Sequence, residues 1–406
     1  MPPTADVFNA GLHPQAVSRG EQVMGELLKK SHRMAPDDVG PTVARHLESL
    51  GMTDAAVFLV DLDQRLLVPI DEPDAGADRA LDIERTLAGR TFRTQQVMQE
   101  PADDGGSRLW VPLLDGADRV GVLGVTVAEA DELTVDRARH MASITAELIV
   151  SKSAFGDNLL LARRVRDMDL AAEMRWSMLP PLTFTNDRLA IAGILEPAYE
   201  IAGDAFDYAV NGDEVHLAIV DAMGHGLEAS RMANLAVGSY RHSRRHGRGL
   251  AETFGAMDQV VAEQFGPERF VTGQLARLDL STGCMSWVNA GHPRPLLWRR
   301  GKLVDDLHCE TSLPLGLGYV PAEVAQVSLE PGDAVLFLTD GVIEARSPQG
   351  DLFGRSRLGR LWLDAAAAGD LPAEILRRLC HSVLDHQQGR LQDDATLLLL
   401  VWTRGG

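Results

Sequence analysis

The sequence predicts an α+β protein in which two domains are joined by a connecting helix. Its 406 residues exceed the roughly 250 to 300 residues at which a single hydrophobic core usually divides. Residues 37–150 mix helical apolar spacing with strand-like runs, and residues 189–402 contain mostly strand-like runs separated by turns. The predicted parts are an N-terminal segment (1–36), a first domain (37–150), a helical linker (151–180) and a second domain (181–406).

The charge balance excludes several classes of partner. Lys and Arg number 39 against 58 Asp and Glu, a formal net charge of −19, whereas nucleic acid and anionic membranes attract basic proteins. The three cysteines have no metal-knuckle spacing, and no apolar run reaches the roughly 20 residues of a membrane span. Residues 1–20 lack the pattern of a secretion signal. We therefore expect a cytoplasmic protein with reduced cysteines and with no nucleic-acid or membrane partner.

The first domain is predicted to combine helices with a short-stranded sheet. A short helix is predicted over residues 21–30 of the preceding N-terminal segment, and helical spacing predicts a helix over residues 39–50, which Gly51 ends. Thr134 and Asp136 predict the first turn of a helix that runs to about residue 150. The predicted strands are residues 55–60 and a hairpin of 108–114 with 119–127.

This first domain resembles a GAF sensor domain. The resemblance rests on a helix and a strand followed by Thr86-Leu-Ala-Gly-Arg-Thr-Phe92, Trp110-Val-Pro-Leu-Leu114 and Arg119-Val-Gly-Val-Leu-Gly-Val125. It implies a small-molecule or protein ligand. A PAS-like domain and a dimerisation domain without a ligand are the alternatives. Residues 1–150 contain no cysteine, which argues against a thioether-linked tetrapyrrole.

Residues 151–180 are predicted to form one long helix that continues out of the first domain. Apolar residues at alternating 4-3 spacing are typical of the seam of a two-stranded coiled coil, although Arg175 interrupts them. Pro180-Pro181 ends the helix. The seam predicts a homodimer in which this helix links the two domains, and the alternative is a helix packed on its own domain. The seam residues are Leu161, Val165, Met168, Ala172 and Leu179.

Acidic residues lie at strand ends at four places in the second domain. Converging carboxylates repel one another unless cations neutralise them. Oxygen ligands without His or Cys suit Mg²⁺ or Mn²⁺, and two such ions activate water for attack on phosphorus. The acidic residues are Asp204 with Asp207, Asp221, Asp340, and Asp393 with Asp394. The predicted strands are 189–194, 214–220, 271–278, 284–288, 295–298, 334–338 and 395–402, and the predicted helices are 226–245, 250–264 and 372–386.

Residues 185–402 resemble the SpoIIE-like branch of the PPM family of metal-dependent serine/threonine phosphatases. Ala202 and Ala205 depart from the family, which usually has a glycine and an aromatic residue there. The resemblance implies an αββα sandwich, two packed sheets between outer helices. Six ordered motifs carry it: Gly203-Asp204 with Asp207, Asp221-Ala-Met-Gly-His-Gly226, Asn289-Ala-Gly-His-Pro293, Leu313-Pro-Leu-Gly316, Thr339-Asp-Gly-Val-Ile-Glu-Ala345 and Asp393-Asp-Ala-Thr396.

The resemblance also implies a role for each metal-binding residue. Asp204 would bind one ion, and Asp221 would bridge both ions with the backbone carbonyl of Ala222 as an auxiliary ligand. Asp340 and Asp393 would hold the second ion. The chain would supply no nucleophile, because a hydroxide held by the two metal ions attacks phosphorus directly.

Four residues, the pair Asp393-Asp394 and the histidines His225 and His292, have two interpretations each. The register of the last motif favours Asp393 as the ligand, with Asp394 in a supporting role, and this choice stays open. His225 and His292 are expected to order their glycine loops, and the alternative for both is general-acid catalysis.

The sequence therefore predicts a sensor-regulated protein-serine/threonine phosphatase with two Mn²⁺ or Mg²⁺ ions. By resemblance, its substrate would be a phosphorylated anti-sigma-factor antagonist. A non-catalytic pseudophosphatase that holds its partner is the first alternative. The second is a metal-dependent hydrolase of phosphodiesters or nucleotides, against which the lack of a P-loop argues.

Overall fold

The computed structural model describes residues 19–70, 79–103, 105–199, 203–304, 307–318 and 321–403. Ala202 and the first 18 residues of the N-terminal segment lie outside these ranges. None of the described helices is long and apolar enough to cross a membrane. All three cysteines are free thiols.

The first domain is a six-stranded antiparallel sheet with helices on both faces. The strand order is β3-β2-β1-β6-β5-β4. Helices α1, α2 and α4 share an apolar core with one face, and α3 packs on the other. The domain's GAF assignment stays a prediction. The elements are α1 (Arg19–Ser31), α2 (Val39–Ser49), β1 (Met52–Val60), β2 (Leu66–Pro69), β3 (Leu81–Asp82), α3 (Leu87–Thr94), β4 (Met98–Pro101), β5 (Ser107–Asp115), β6 (Asp118–Val127) and α4 (Glu132–Ser153).

The helices and the hairpin predicted for this domain are confirmed, with one change at a helix start. The hairpin pairs β5 with β6 across a tight turn in which Gly116 has a φ of +59°. Helix α4 begins two residues earlier than predicted, because Asp131 and not Thr134 caps it. The Asp131 side chain accepts a hydrogen bond from the Thr134 backbone N–H.

The connecting segment is not one helix, so that prediction is wrong. Helix α4 ends at Ser153, a short α5 (Asn158–Leu161) follows, and α6 (Leu170–Met178) begins only after irregular chain. The Arg163 side chain donates to the Val60 carbonyl (2.9 Å), and the Arg163 carbonyl accepts from the Tyr199 hydroxyl (3.2 Å). These bonds hold the segment against both domains in place of helical hydrogen bonds.

The proposed seam residues do not share a face. Leu161 and Val165 are 50% and 37% exposed, whereas Ala172 is fully buried. The homodimer prediction therefore loses the coiled coil on which it rested. The predicted domain boundaries stay a prediction.

The second domain consists of two six-stranded sheets packed face to face. The first has the order β15-β12-β11-β10-β9, with β16 also paired to β12, and the second has the order β14-β13-β17-β18-β8-β7. The strands are β7 (Thr183–Thr185), β8 (Leu189–Glu196), β9 (Asp204–Asn211), β10 (Glu214–Ala222), β11 (Val271–Asp279), β12 (Cys284–Ala290), β13 (Leu296–Arg299), β14 (Lys302–Val304), β15 (Thr311–Ser312), β16 (Ala325–Ser328), β17 (Ala334–Leu338) and β18 (Ala395–Trp402).

Helices cover the outer face of each sheet, which confirms the αββα sandwich. Along β18, Leu397 and Leu399 pack on the helices while Leu398 and Leu400 pack between the sheets. Burial of both faces explains why this strand is a continuous apolar run. Helices α7 and α8 cover the first sheet and α10 and α11 the second. Of these, α10 was not predicted. The helices are α7 (Leu227–Arg245), α8 (Leu250–Phe265), α9 (Asp340–Ile343), α10 (Gly354–Ala367) and α11 (Pro372–His386).

The two domains meet at a set of charges around α11, which we call the interdomain ion network: Arg119, Glu374, Arg377 and Glu84. Arg119 of β6 donates to Glu374 of α11 at 2.7 Å, and these side chains are 4% and 2% exposed. Arg377 donates to both Glu374 oxygens (2.8 and 2.9 Å) and to Glu84 of the first domain. The Arg377 guanidinium also donates to the Gln64 carbonyl (3.2 Å). Every charge in the network therefore has a partner of opposite sign.

Candidate active site

Five aspartates gather where the two sheets of the second domain end together, and we call them the aspartate cluster: Asp204, Asp221, Asp340, Asp393 and Asp394. Asp204 and Asp221 are direct cross-strand partners in the β9–β10 ladder. Asp340 follows β17, and Asp393-Asp394 precedes β18. Because β17 and β18 pair antiparallel, the end of one lies beside the start of the other.

The alternation of side chains along the strands aims Asp204 and Asp221 between the sheets. In β10, Leu217 and Ile219 belong to the core between the sheets, and Asp221 continues that series. In β9, Phe206 belongs to the same core, and Asp204 precedes it by two residues. Both carboxylates therefore face the gap between the sheets at its open end.

The carboxylates raise one another's pKa. Burial, and then the charges of Asp340, Asp393 and Asp394, raise the pKa of Asp221 to about 7. Burial, followed by Asp221 and Asp394, holds the pKa of Asp204 well above its usual range. The pKa of Asp340 is also raised, by burial and by Asp393. These groups are close enough to oppose each other's ionisation.

The two adjacent aspartates of the last motif have different surroundings. The Asp394 carboxylate accepts hydrogen bonds from the backbone N–H groups of Gly203 (2.5 Å) and Asp204 (3.3 Å). Burial raises the pKa of Asp394 to about 6 although Arg175 opposes the rise. Asp393 is exposed and accepts only from the Asp394 N–H (2.9 Å) among its described contacts. This difference supports the expectation that Asp394 positions a ligand while Asp393 is available to be one.

Two glycines allow the site loops to approach each other. A Cβ on Gly203 would lie 2.6 Å from the Ala222 carbonyl oxygen, and one on Gly341 would lie 1.9 Å from the Asp394 carbonyl oxygen. Both contacts are with backbone, which cannot swing away. A side chain at either position would therefore separate the elements that carry the aspartates.

Sequence reasoning missed two residues that hold the cluster. The Thr339 hydroxyl donates to Asp204 (2.8 Å) and accepts from the Thr396 N–H (3.0 Å), which ties β17 to β9 and β18. Arg175 of α6 is buried, donates to the Pro197 carbonyl (2.6 Å), and places its charge near Asp204 and Asp394. The signal for Arg175 was present in the sequence, because it is the residue that interrupts the predicted apolar stripe.

Asp207 does not belong to the aspartate cluster. Three positions after Asp204 on the same strand, it faces α7. It forms buried ion pairs with Arg241 (2.7 Å) and Arg244 of that helix. Ala205 also faces the α7 side, where it packs in the helix-covered core. The departure from the family at Ala205 therefore does not line the site.

The two histidines of the glycine motifs differ in burial. His225 is exposed, in the turn between β10 and α7. His292 is buried, and its backbone N–H donates to the Asn289 side chain (2.8 Å). Burial lowers the pKa of His292 to about 3, so its ring is neutral near neutral pH. A neutral, buried ring fits an ordering role better than proton donation to a substrate.

The cluster fits divalent cations in its donor chemistry. Its candidate donors are carboxylate oxygens with a nearby backbone carbonyl, the type of donor that Mg²⁺ and Mn²⁺ prefer. Among the described residues, no three His, Cys, Asp or Glu side chains already form a finished coordination sphere. Repulsion between like charges explains why the carboxylates lie near one another but do not converge on a single position.

Comparisons with known proteins place the second domain in a family. Residues 211–403 match the sequence model of the family Stage II sporulation protein E (SpoIIE). The chain is 25% identical over 279 residues to protein IcfG of Synechocystis sp., an alignment covering 59% of this chain and 43% of IcfG. It is 25% identical over 240 residues to the phosphoserine phosphatase RsbU of Bacillus subtilis, covering 58% of this chain and 69% of RsbU.

A solved structure aligns with about half of the chain. The RsbU and RsbW domains of a Mycobacterium tuberculosis protein align over 54% of this chain and 61% of that chain, with 28% identity and a TM-score of 0.45. The family match covers four of the five clustered aspartates, Asp221, Asp340, Asp393 and Asp394. Residues 211–403 of the second domain are thus similar in sequence to the SpoIIE family.

Proposed function

We propose that the chain is a metal-dependent protein phosphatase that hydrolyses phosphoserine or phosphothreonine on a partner protein. The observation that carries this proposal is the aspartate cluster, whose members raise one another's pKa at the open end of the sandwich. The name of RsbU, a phosphoserine phosphatase, supports the substrate class. We propose an anti-sigma-factor antagonist as the partner, on the family resemblance.

The residues that we propose to hold the cations are those that the family resemblance implies. Asp204 would bind one ion, Asp221 would serve both ions with the Ala222 carbonyl as an auxiliary ligand, and Asp340 and Asp393 would bind the second. When bound, the two ions would supply an activated water and neutralise charge on the phosphate. Asp221 suits the central position because three other aspartates of the cluster raise its pKa.

The chain's other residues orient this ligand set. The Thr339 hydroxyl and the backbone N–H groups bound to Asp394 fix Asp204 and its loop. Since Gly203 precedes Asp204 directly, the Asp394 bond to Gly203 sets the position of the first predicted ligand. Preorganisation of this kind lowers the cost of assembling the site when substrate binds.

The full-length chain tests the activity directly. With Mn²⁺ we expect turnover of p-nitrophenyl phosphate and of a phosphorylated antagonist, and loss of both with a chelator. The surface variant Asp370→Asn is the matched control for Asp221→Asn, because Asp370 pairs with Arg378 away from the cluster. Partner binding without turnover would favour the pseudophosphatase. Hydrolysis of nucleotides but not phosphoprotein would favour the nucleotide hydrolase.

We also propose that the first domain regulates the phosphatase through the interdomain ion network. Helix α11 contacts the first domain with its charged residues and packs apolar residues on β18. It is followed directly by the loop that carries Asp393 and Asp394. A displacement at the first domain therefore has a short mechanical route to the aspartate cluster.

A cavity in the first domain supports a sensor role. It has a volume of about 1010 Å³ on the sheet face opposite α4 and is lined by residues that include Phe58, Trp110, Arg108 and Glu100. Trp110 donates to Glu100 (2.8 Å), and Arg108 lies over the Trp110 ring. The size is within the range of small-molecule sites.

Glu84→Gln tests the regulatory route. Glu84 is the first domain's carboxylate on Arg377, and its loss leaves Arg377 paired with Glu374. We expect turnover of the full-length variant to change by roughly fivefold or more, the usual size of coupling between sites. Asp370→Asn, next to the same helix, should leave the rate unchanged. Equal rates for Glu84→Gln and wild type would show that this contact carries no regulation.

A further inference from the structure

A hydrogen-bonded threonine lies beside the central aspartate of the cluster. Asp221 and Thr272 are direct cross-strand partners in the β10–β11 ladder, so their side chains share a face. The Thr272 hydroxyl beside the Asp221 carboxylate lowers the pKa of Asp221 against the larger effects of burial and neighbouring charge. Thr272 is therefore adjacent to the proposed bridging ligand, although it is not a ligand by type.

Behind Thr272 lies the buried imidazole of His292. Its Nδ1 is 2.9 Å from the Thr272 hydroxyl oxygen. Asn289 holds the His292 backbone from both sides, accepting from its N–H (2.8 Å) and donating to its carbonyl (2.9 Å). Asn289 is fully buried, and His292 as a whole residue is only 5% exposed. The ring is fixed in place before any cation or substrate arrives.

The hydrogen count limits the direction of these bonds when Asp221 is ionised. A hydroxyl has one hydrogen, and an ionised carboxylate only accepts. If Thr272 donates to the ionised Asp221, it must accept from His292, and the ring's proton then lies on Nδ1.

We propose that Thr272 and His292 form a relay that orients the Asp221 carboxylate for cation binding, with His292 as a positioning residue. The proposal rests on the proposed role of Asp221 as a metal ligand. Groups hydrogen-bonded to a ligand commonly change metal affinity by about 10- to 100-fold when they are removed. The relay gives the Asn289-Ala-Gly-His292 motif a role beyond ordering its own loop.

Paired substitutions separate the relay from a merely structural role. Thr272→Val removes the hydroxyl at similar volume, and Thr272→Ser restores it. In His292→Asn, the amide nitrogen replaces Nδ1, whereas in His292→Gln the amide reaches the position of Nε2. The relay predicts that Thr272→Ser and His292→Asn keep Mn²⁺ affinity, and that Thr272→Val and His292→Gln lose it.

Direct Mn²⁺ binding to the metal-free full-length chain is the measurement, by calorimetry or by the electron paramagnetic resonance of free Mn²⁺. We expect Thr272→Val and His292→Gln to raise the Mn²⁺ dissociation constant about tenfold. Thermal melts in chelator check folding. The double variant should be no weaker than either single one, because the two residues act in series.

Three outcomes would overturn the relay. Wild-type Mn²⁺ affinity in Thr272→Val contradicts it outright. Equal loss in His292→Asn and His292→Gln with a lower melting temperature would mean that His292 only orders its loop. Absence of Mn²⁺ binding by wild type would overturn the relay and the proposed function together. Mn²⁺ binding that follows the predicted pattern without phosphatase turnover would support the relay and refute the function.

Discussion

The aspartate cluster and the interdomain ion network are both groups of largely buried charges, but they differ in charge balance. The network contains Arg119 and Arg377 against Glu374 and Glu84, and each side chain has a partner of opposite sign. In the aspartate cluster, five carboxylates lie together, and Arg175 acts on only two of them, Asp204 and Asp394.

The pKa shifts record this difference. Burial alone would raise the pKa of Glu84, yet Arg377 lowers it below its ordinary value. In the cluster, burial and like charges act in the same direction and raise the pKa of Asp221 to about 7. A charge-balanced group such as the interdomain ion network helps the two domains dock without any ligand. The unbalanced aspartate cluster destabilises the metal-free protein until cations bind, so selection for folding alone does not explain it.

The largest expected effect comes from removing the central carboxylate. Asp221→Asn should lower p-nitrophenyl phosphate turnover with Mn²⁺ by about a thousandfold, roughly 4 kcal/mol. The same change should raise the melting temperature of the metal-free protein, because it removes one of the repelling charges. A variant that melts below wild type in chelator would contradict the contrast between the two groups.

Removing the central carboxylate of the network should have the opposite effect on stability. Glu374→Gln leaves Arg119 buried without its carboxylate partner and Arg377 with Glu84 alone, and we expect a loss of about 3 kcal/mol in the free energy of unfolding. Asp370→Asn breaks the more exposed pair with Arg378 and should cost less than about 1 kcal/mol. Denaturant unfolding of the three full-length proteins compares these values. Similar losses for both variants would mean that the network is not a buried docking contact.

A smaller effect separates the two aspartates of the last motif. Asp394→Asn keeps a side-chain oxygen that can accept from the Gly203 N–H, so we expect about a tenfold loss of turnover, well short of the loss in Asp221→Asn. The measurement is kcat at saturating Mn²⁺, with folding checked by circular dichroism. A greater loss in Asp394→Asn than in Asp221→Asn would show that Asp394 is itself a ligand.

The sequence predicted most of the second domain because its strands are apolar on both faces and its aspartates interrupt them sharply. Strand β18 and helix α11 have the predicted bounds, and the αββα arrangement follows from the family motifs. The pattern could not separate Asp204 from Asp207, because both lie in one short motif. Their placement on opposite faces depends on β9 beginning at Asp204, which the sequence analysis did not predict.

The linker shows where periodicity misleads. Its apolar residues have coiled-coil spacing, yet Arg163 and Tyr199 fix the chain through hydrogen bonds to distant backbone. Such contacts depend on residues more than 30 positions away, so no local pattern reveals them. The interdomain ion network was invisible for the same reason, since Arg119 and Glu374 are 255 positions apart.

The smallest expected effect is a pH dependence of the metal-free protein. The pKa of Asp221 is raised to about 7 and that of Asp394 to about 6, whereas an unfolded Asp titrates near 3.9. Between these values the folded state binds more protons than the unfolded state, so stability falls as pH rises. We expect the melting temperature in chelator to drop by a few degrees from pH 5 to pH 8.

The double variant Asp221→Asn/Asp394→Asn should show a shallower dependence of melting temperature on pH. Part of this dependence should remain, because burial also raises the pKa of Asp61 to about 6. Saturating Mn²⁺ should reverse the slope in wild type only, because cations favour the ionised carboxylates. A slope that is identical in wild type and the double variant would show that Asp221 and Asp394 are not the groups that titrate.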